Sequence, residues 1–101
     1  MAYEAALSAL ADPTRRRLFE SLALGPRPVG VLAVELGVSQ PAVSQHLAVL
    51  RRARLVHARA EGTRRYYEPD RAGIDAVRAY FDRYWAGVLD AYAASLDSPE
   101  S

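Results

Sequence analysis

Between Ser39 and Ala53 the chain reads Ser-Gln-Pro-Ala-Val-Ser-Gln-His-Leu-Ala-Val-Leu-Arg-Arg-Ala, and the groups there that could do chemistry are amides, hydroxyls and one imidazole. Gln40, Ser44 and Gln45 can each donate and accept hydrogen bonds, which suits them to reading base edges. Val43, Leu47 and Leu50 recur at i, i+4 and i+7, so on a helix they turn inward. That leaves Gln40, Ala42, Ser44, Gln45 and, at the edge, His46 outside. A solvated helix face is normally filled with long ion-pairing residues, whereas these short groups would let a helix approach the major groove of DNA closely. Ser39 is a good N-cap, and Pro41 in the first turn lacks a donor that would be unpaired anyway, so the spacing predicts a recognition helix over 39–53.

Bond-breaking chemistry finds no support in the same residues. Ser44 and His46 stand two apart, so their side chains diverge on a helix, and no carboxylate near in sequence orients the imidazole. The chain has no lysine and no glycine-rich phosphate loop, so neither an enzyme nor a cofactor is expected. Cysteine is absent as well, which removes disulfides, thiolate metal sites and thiol redox sensing. With 101 residues and 50% hydrophobic content, residues 1–101 read as one domain whose core is small enough for partner burial to help. Met1–Leu10 carries Glu4 and no basic n-region, and no apolar run nears the roughly 20 residues of a membrane span. A cytoplasmic protein without a membrane partner is expected.

The net charge of +1 conceals an uneven distribution. Residues 1–38 balance four arginines against four acids, residues 39–67 set Arg51, Arg52, Arg54, Arg59, Arg64 and Arg65 against Glu61 alone, and residues 68–101 hold three arginines against seven acids. The middle segment is therefore at +5 and the last at −4. Positive charge gathers around the candidate reading helix, as a phosphate-binding surface requires, and the acidic remainder is expected to face away.

The elements that must hold these residues follow from breaks and periods. Tyr3–Leu10 is a short amphipathic helix, and Asp12-Pro13-Thr14 starts a second that turns Leu18, Phe19 and Leu22 inward and ends at Gly25-Pro26-Arg27-Pro28. Val31–Leu36 makes a short helix closed by Gly37, and Gly37-Val38-Ser39 turns into the reading helix, which completes a helix-turn-helix. Beyond it the chain alternates apolar and polar residues around Glu61-Gly62-Thr63, the pattern of a β-hairpin over 56–67 with Tyr66 or Tyr67 packed back on the helices. Such a wing would carry Thr63, Arg64 and Arg65 to phosphates or into a minor groove. The fold class is mainly α with a small β-hairpin.

Arg71–Leu96 would form a helix of roughly 39 Å, too long to serve its own small domain alone. Its stripe of Ile74, Val77, Phe81, Tyr84, Trp85, Val88, Leu89, Tyr92 and Leu96 asks for a partner. Together with Tyr3, Leu7 and Leu10, the residues Phe81, Tyr84, Trp85, Val88, Leu89 and Tyr92 are expected to bury against a two-fold mate. A small-molecule pocket between protomers, lined by Tyr80, Tyr84, Trp85 and Tyr92, is the sharper alternative for the same stripe.

Ala11-Asp12-Pro13-Thr14-Arg15, Val31-Leu32-Ala33, Ser39–Leu47 and Glu61-Gly62-Thr63-Arg64-Arg65-Tyr66-Tyr67 together resemble the ArsR-type (ArsR/SmtB) winged helix-turn-helix transcriptional repressors, over essentially the whole chain. The resemblance implies the order α-α-α-α-β-β-α, a homodimer joined through its terminal helices, and double-stranded DNA bound as an inverted repeat by the fourth helix and wing. Gln40, Pro41, Ser44 and Gln45 match the family's base-reading and phosphate-touching positions, His46 borders the backbone, and Ala42 and Arg51 complete the expected contact set. Metal-sensing members carry a cysteine-containing box in the third helix, or Asp and His ligands between the last helices; here there is no cysteine, and Asp75, Asp82 and Asp90 occur without histidine, so no metal is expected. An unidentified small-molecule effector remains open. Arg54 stands where the family usually has glycine, and if left-handed it costs roughly 1 kcal/mol relative to glycine. A winged-helix protein-interaction module, docking another subunit through the aromatic helix, is the alternative function.

Overall fold

Two short motifs decide how the first four helices meet. A computed structural model describes residues 2–96, in the order α1 (Ala2–Ala11), α2 (Pro13–Leu22), α3 (Val29–Leu36), α4 (Gln40–Arg52), β1 (Val56–Glu61), β2 (Arg64–Pro69) and α5 (Arg71–Leu96). Between α1 and α2, Asp12 is extended and its carboxylate accepts the Arg15 amide at 3.0 Å, which caps α2. In return Arg15 Nε donates to the Ala9 carbonyl at 2.8 Å and Arg16 to that of Leu10 at 3.0 Å. One stretch therefore caps the start of α2 and the end of α1 together.

Helix α3 begins at Val29, two residues before the start expected from sequence. Pro28 cannot continue a helix but can precede one: it sits extended as N-cap, and its carbonyl accepts the Leu32 amide at 3.2 Å. At the other end Gly37 is left-handed at φ 69°, and the Val38 amide reaches back to Ala33 at 3.2 Å. Across that turn Ser39 Oγ accepts the Ala42 amide at 3.2 Å and starts α4.

The core is assembled where these helices cross. Leu18 and Leu22 of α2, Leu32 of α3, and Val43, Leu47 and Leu50 of α4 are fully buried with Leu55 and Val56, so the inward stripe expected for α4 is the one observed. Strands β1 and β2 pair antiparallel with Glu61 opposite Arg64, leaving Gly62-Thr63 as a two-residue turn with Gly62 at φ 64°. The hairpin runs to Pro69, and Arg27 adds an isolated antiparallel bridge through two backbone bonds with Tyr67, at 2.9 and 3.1 Å. Tyr67 is the tyrosine that packs on the core; Tyr66 lies on the outer face beneath Arg59.

Helix α4 ends in a turn of the same kind as α3, but with an arginine in the glycine's place. Arg54 is left-handed at φ 60°, its amide bonds Arg51 at 3.0 Å, and the Leu55 amide reaches Leu50 at 2.9 Å. Helix α5 docks on this turn: the Asp70 amide bonds Leu55 at 2.8 Å and the Gly73 amide bonds Arg54 at 2.7 Å. A Cβ on Gly73 would lie 2.6 Å from the Arg54 carbonyl and 2.7 Å from that of Ala53, so only glycine permits the approach.

Two measurements check these junctions. Gly73→Ala is expected to lower unfolding free energy by roughly 1 to 3 kcal/mol in urea titrations, since backbone must move to admit the methyl, and Arg54→Gly to raise it by up to about 1. The Arg15 amide beside Asp12 holds its carboxyl below the ordinary 3.8, with the charges of Arg15 and His46 adding to the effect. The cap's ionic contribution is thus complete above that value and lost as pH falls through the lowered one. Asp12→Asn keeps an acceptor that does not titrate, and its melting temperature should fall less than that of the wild type as pH drops below 3.8.

Candidate nucleic-acid interface

Helix α4 offers its outer face without acids. Gln40, Pro41, Ser44 and Gln45 are exposed, and past the half-buried Ala48 the same face continues to the exposed Arg51 and Arg52. Ala42 does not join them. Ala42, His46 and Val49 follow one another at i, i+4 and i+7 along the helix flank and are half-buried, because that flank turns toward the neighbouring helices. His46 lies near enough to Asp12 for its charge to favour the carboxylate, which ties this edge to the α1–α2 junction. Arg52, counted in the basic segment but not in the expected contact set, stands seven positions after Gln45, two turns along the same exposed face.

The wing divides its arginines. On its outer face Arg59 pairs with Glu61 at 2.6 Å and Glu68 at 3.3 Å and lies 5.6 Å from the Tyr66 ring centroid, while His57 Nε2 meets Glu68 at 3.0 Å. The hydrogen bond to Glu61, with the charges of Glu68 and Glu61, holds the Arg59 guanidinium above its usual value. Arg59 is thus committed to the fold of the hairpin. Arg64 and Arg65 beside the turn are exposed and make no ion pair with any acid among the described residues, and neither do Arg51 and Arg52. Thr63 occupies the exposed turn between the strands. With four unpaired cations along the reading helix and wing, this surface is complementary to a polyanion.

At the other end of the chain the apolar stripe of α5 splits in two. Ile74 and Val77 pack on the chain's own core, whereas Phe81, Tyr84, Trp85, Val88, Leu89, Tyr92 and Leu96 are exposed, Trp85 by 54% and Tyr92 by 62%. Leu7 joins this exposed set at the margin. Tyr3 and Leu10 are partly spent within the protomer: Tyr3 stacks on Tyr80 with ring centroids 4.3 Å apart, and Leu10 packs against the core. The molecule measures 67 × 24 × 23 Å, and the exposed aromatics run along the part of α5 that reaches past the body.

Nothing in the donor set suits a transition metal. The chain supplies no thiolate, Asp75, Asp82 and Asp90 are spaced two turns apart or roughly 11 Å along α5, and no three candidate ligands gather among the described residues. No described helix is long and apolar enough to cross a membrane.

Comparison with known proteins follows the same lines. The family model described as "Bacterial regulatory protein, arsR family" matches residues 12–58, from the Asp12 cap to the first strand of the wing. The HTH-type transcriptional regulator Rv2034 of Mycobacterium tuberculosis is 55% identical over 93 residues, covering 92% of this chain and 87% of its own. The nodulation protein NolR of Rhizobium meliloti is 44% identical over 94 residues, covering 93% and 71%. Among solved structures, the homodimeric winged helix-turn-helix DNA-binding domain of Mb0332 from Mycobacterium bovis superposes with a TM-score of 0.67 at 33% identity, covering 91% of this chain and 82% of that one.

Proposed function

The chain belongs to the arsR family of bacterial regulatory proteins, and from that premise we propose that it is a sequence-specific DNA-binding transcriptional regulator, a homodimeric repressor acting in the cytoplasm. The observation that carries this reading is the outer face of α4: Gln40, Ser44 and Gln45 exposed, no acid beside them, and unpaired arginines at its far end and on the wing. Amides and hydroxyls read base edges, and Gln is suited to the two groups that adenine shows in the major groove. Arg51, Arg64 and Arg65 supply phosphate contacts that set register and orientation.

One such head reads few bases, so symmetry does the rest. The exposed stripe from Phe81 to Tyr92, with Leu7, pairs with its own copy about a two-fold axis, which hides the aromatic surface and presents two α4 helices together. Helices about one DNA turn apart, roughly 34 Å, read an inverted repeat. Repression then needs only occupancy of a promoter. An effector, if one binds, must prefer a dimer whose two α4 helices are wrongly spaced.

Selection of bound sequences from random duplexes tests activity, symmetry and spacing at once, and an inverted repeat whose affinity falls steeply with salt is expected. Salt-insensitive or undetectable binding would favour the protein-docking alternative for α5. Gln45→Ala should relax base preference by roughly 1 to 3 kcal/mol, while Arg65→Ala should weaken every duplex alike and lower the salt slope by about 1. Trp85→Ala, expected to cost the dimer about 2 kcal/mol or more, should shift the sedimentation profile toward monomer and reduce operator binding in parallel. A monomeric variant that still bound the full repeat tightly would sink the interface assignment.

A further inference from the structure

Beside α4 lies a groove that the reading helix and the wing tip do not themselves explain. It has a volume of about 440 Å³ and runs between the first turn of α3 and β2, walled by Pro28, Val29, Val31 and Tyr67 on its apolar sides and by Arg64 and Arg65. Gly30 lines it too. No acid lines the groove, and Val31 is 43% exposed there.

Gly30 is the informative residue, because the fold does not ask for glycine at that position. Its φ is not left-handed, it sits inside a helix where glycine is less favourable than alanine, and an added Cβ would meet only the Gln40 amide nitrogen at 3.6 Å, an ordinary contact. Gly73 offers the contrast, since its missing Cβ is required by carbonyls of the chain itself. A glycine that costs its own helix stability and leaves its groove wall low is what close approach by another molecule requires. The Gln40 contact also joins this wall to the first turn of α4, so the groove continues the surface assigned to DNA.

We propose that this groove seats the sugar–phosphate backbone of one DNA strand beside the major groove read by α4, and that Gly30 is glycine so that the strand can lie against α3. The inference rests on the DNA-binding reading above and adds a contact surface to it. Deoxyribose presents an apolar face and the phosphate a charge, and the groove pairs valine and proline walls with the Arg65 guanidinium, which makes no ion pair among the described residues. Arg65 shares the strand face of buried Tyr67 and so points the same way as the groove wall. Recognition here is of backbone, not of base, so every sequence gains equally.

The test compares wild type, Gly30→Ala and Val31→Asp by fluorescence anisotropy on the selected inverted repeat and on a scrambled duplex of equal length, across a salt series, with thermal melts alongside. Gly30→Ala should melt at the wild-type temperature or above it and yet bind both duplexes about tenfold more weakly, with their ratio unchanged and the salt slope lower by about 1. Val31→Asp, at an exposed position, should melt like wild type and lose more affinity for both. A structural role would move stability and affinity together; here they move apart. Wild-type affinity in Gly30→Ala overturns the proposal, as does a loss confined to the selected repeat, which would trace to Gln40 and base reading. Release of a scrambled duplex from wild type but not from Val31→Asp by millimolar benzoate would assign the groove to an organic anion and overturn it also. If wild type binds neither duplex, the DNA-binding reading itself fails, which is distinguishable from failure of the groove alone.

Discussion

Everything this molecule can do passes through the turn from Leu50 to Leu55. Three elements are fixed to one another there by backbone alone: α4 ends on the Leu55-to-Leu50 bond, β1 starts from the next residue, and α5 is held by the bonds that Asp70 and Gly73 give to Leu55 and Arg54. Side chains can rearrange by rotamer, but carbonyls packed where a Gly73 Cβ would stand 2.6 Å away cannot slide. The reading helix, the wing and the long terminal helix are therefore joined at one turn. In the proposed dimer, this junction is what ties a contact on α5 to the placement of α4.

The same turn shows where sequence reasoning reaches its limit. The period of Val43, Leu47 and Leu50, the cap at Ser39 and the long helix from Arg71 to Leu96 were legible because each rests on local spacing, and the fold follows them closely. Arg54 was legible only as an alternative: its left-handed φ of 60° belongs to the local turn that closes α4, but that α5 docks on this turn is non-local. Gly73 was unremarkable in sequence for the same reason. Helix α3 began earlier than expected since a proline reads equally as a breaker and as an N-cap, and the distinction lies in whether the chain before it is held extended, as the Arg27–Tyr67 bridge holds it here.

Charge counting by segment located where the arginines gather but not which of them are paired. Of the six arginines between residues 39 and 67, Arg59 is occupied by Glu61 and Glu68 and serves to stiffen the hairpin. Acids that are far apart in sequence from their partners, such as Glu68 across the strands, make that division invisible to a tally along the chain. Exposure corrected the apolar residues in the same manner. Tyr3 and Leu10, grouped with the outward stripe by helical period, satisfy part of their surface within the protomer, so α1 steadies α5 before it meets any partner.

That division of labour explains why one apolar stripe can serve two masters. The inner end of α5, with Ile74 and Val77, belongs to a core made of fully buried leucines and valines, and the Gly73 contact anchors it there. From Phe81 onward the same helix has no body of its own to cover, and an exposed tryptophan with two tyrosines is a larger apolar surface than an isolated small domain usually leaves to water. In the proposed dimer a second copy covers that surface and sets two reading heads by one lever each. A repressor assembled this way gains its specificity from geometry at the axis as much as from the amides at the groove, because a small error in the angle between the two α5 helices becomes a large one at the distance of α4.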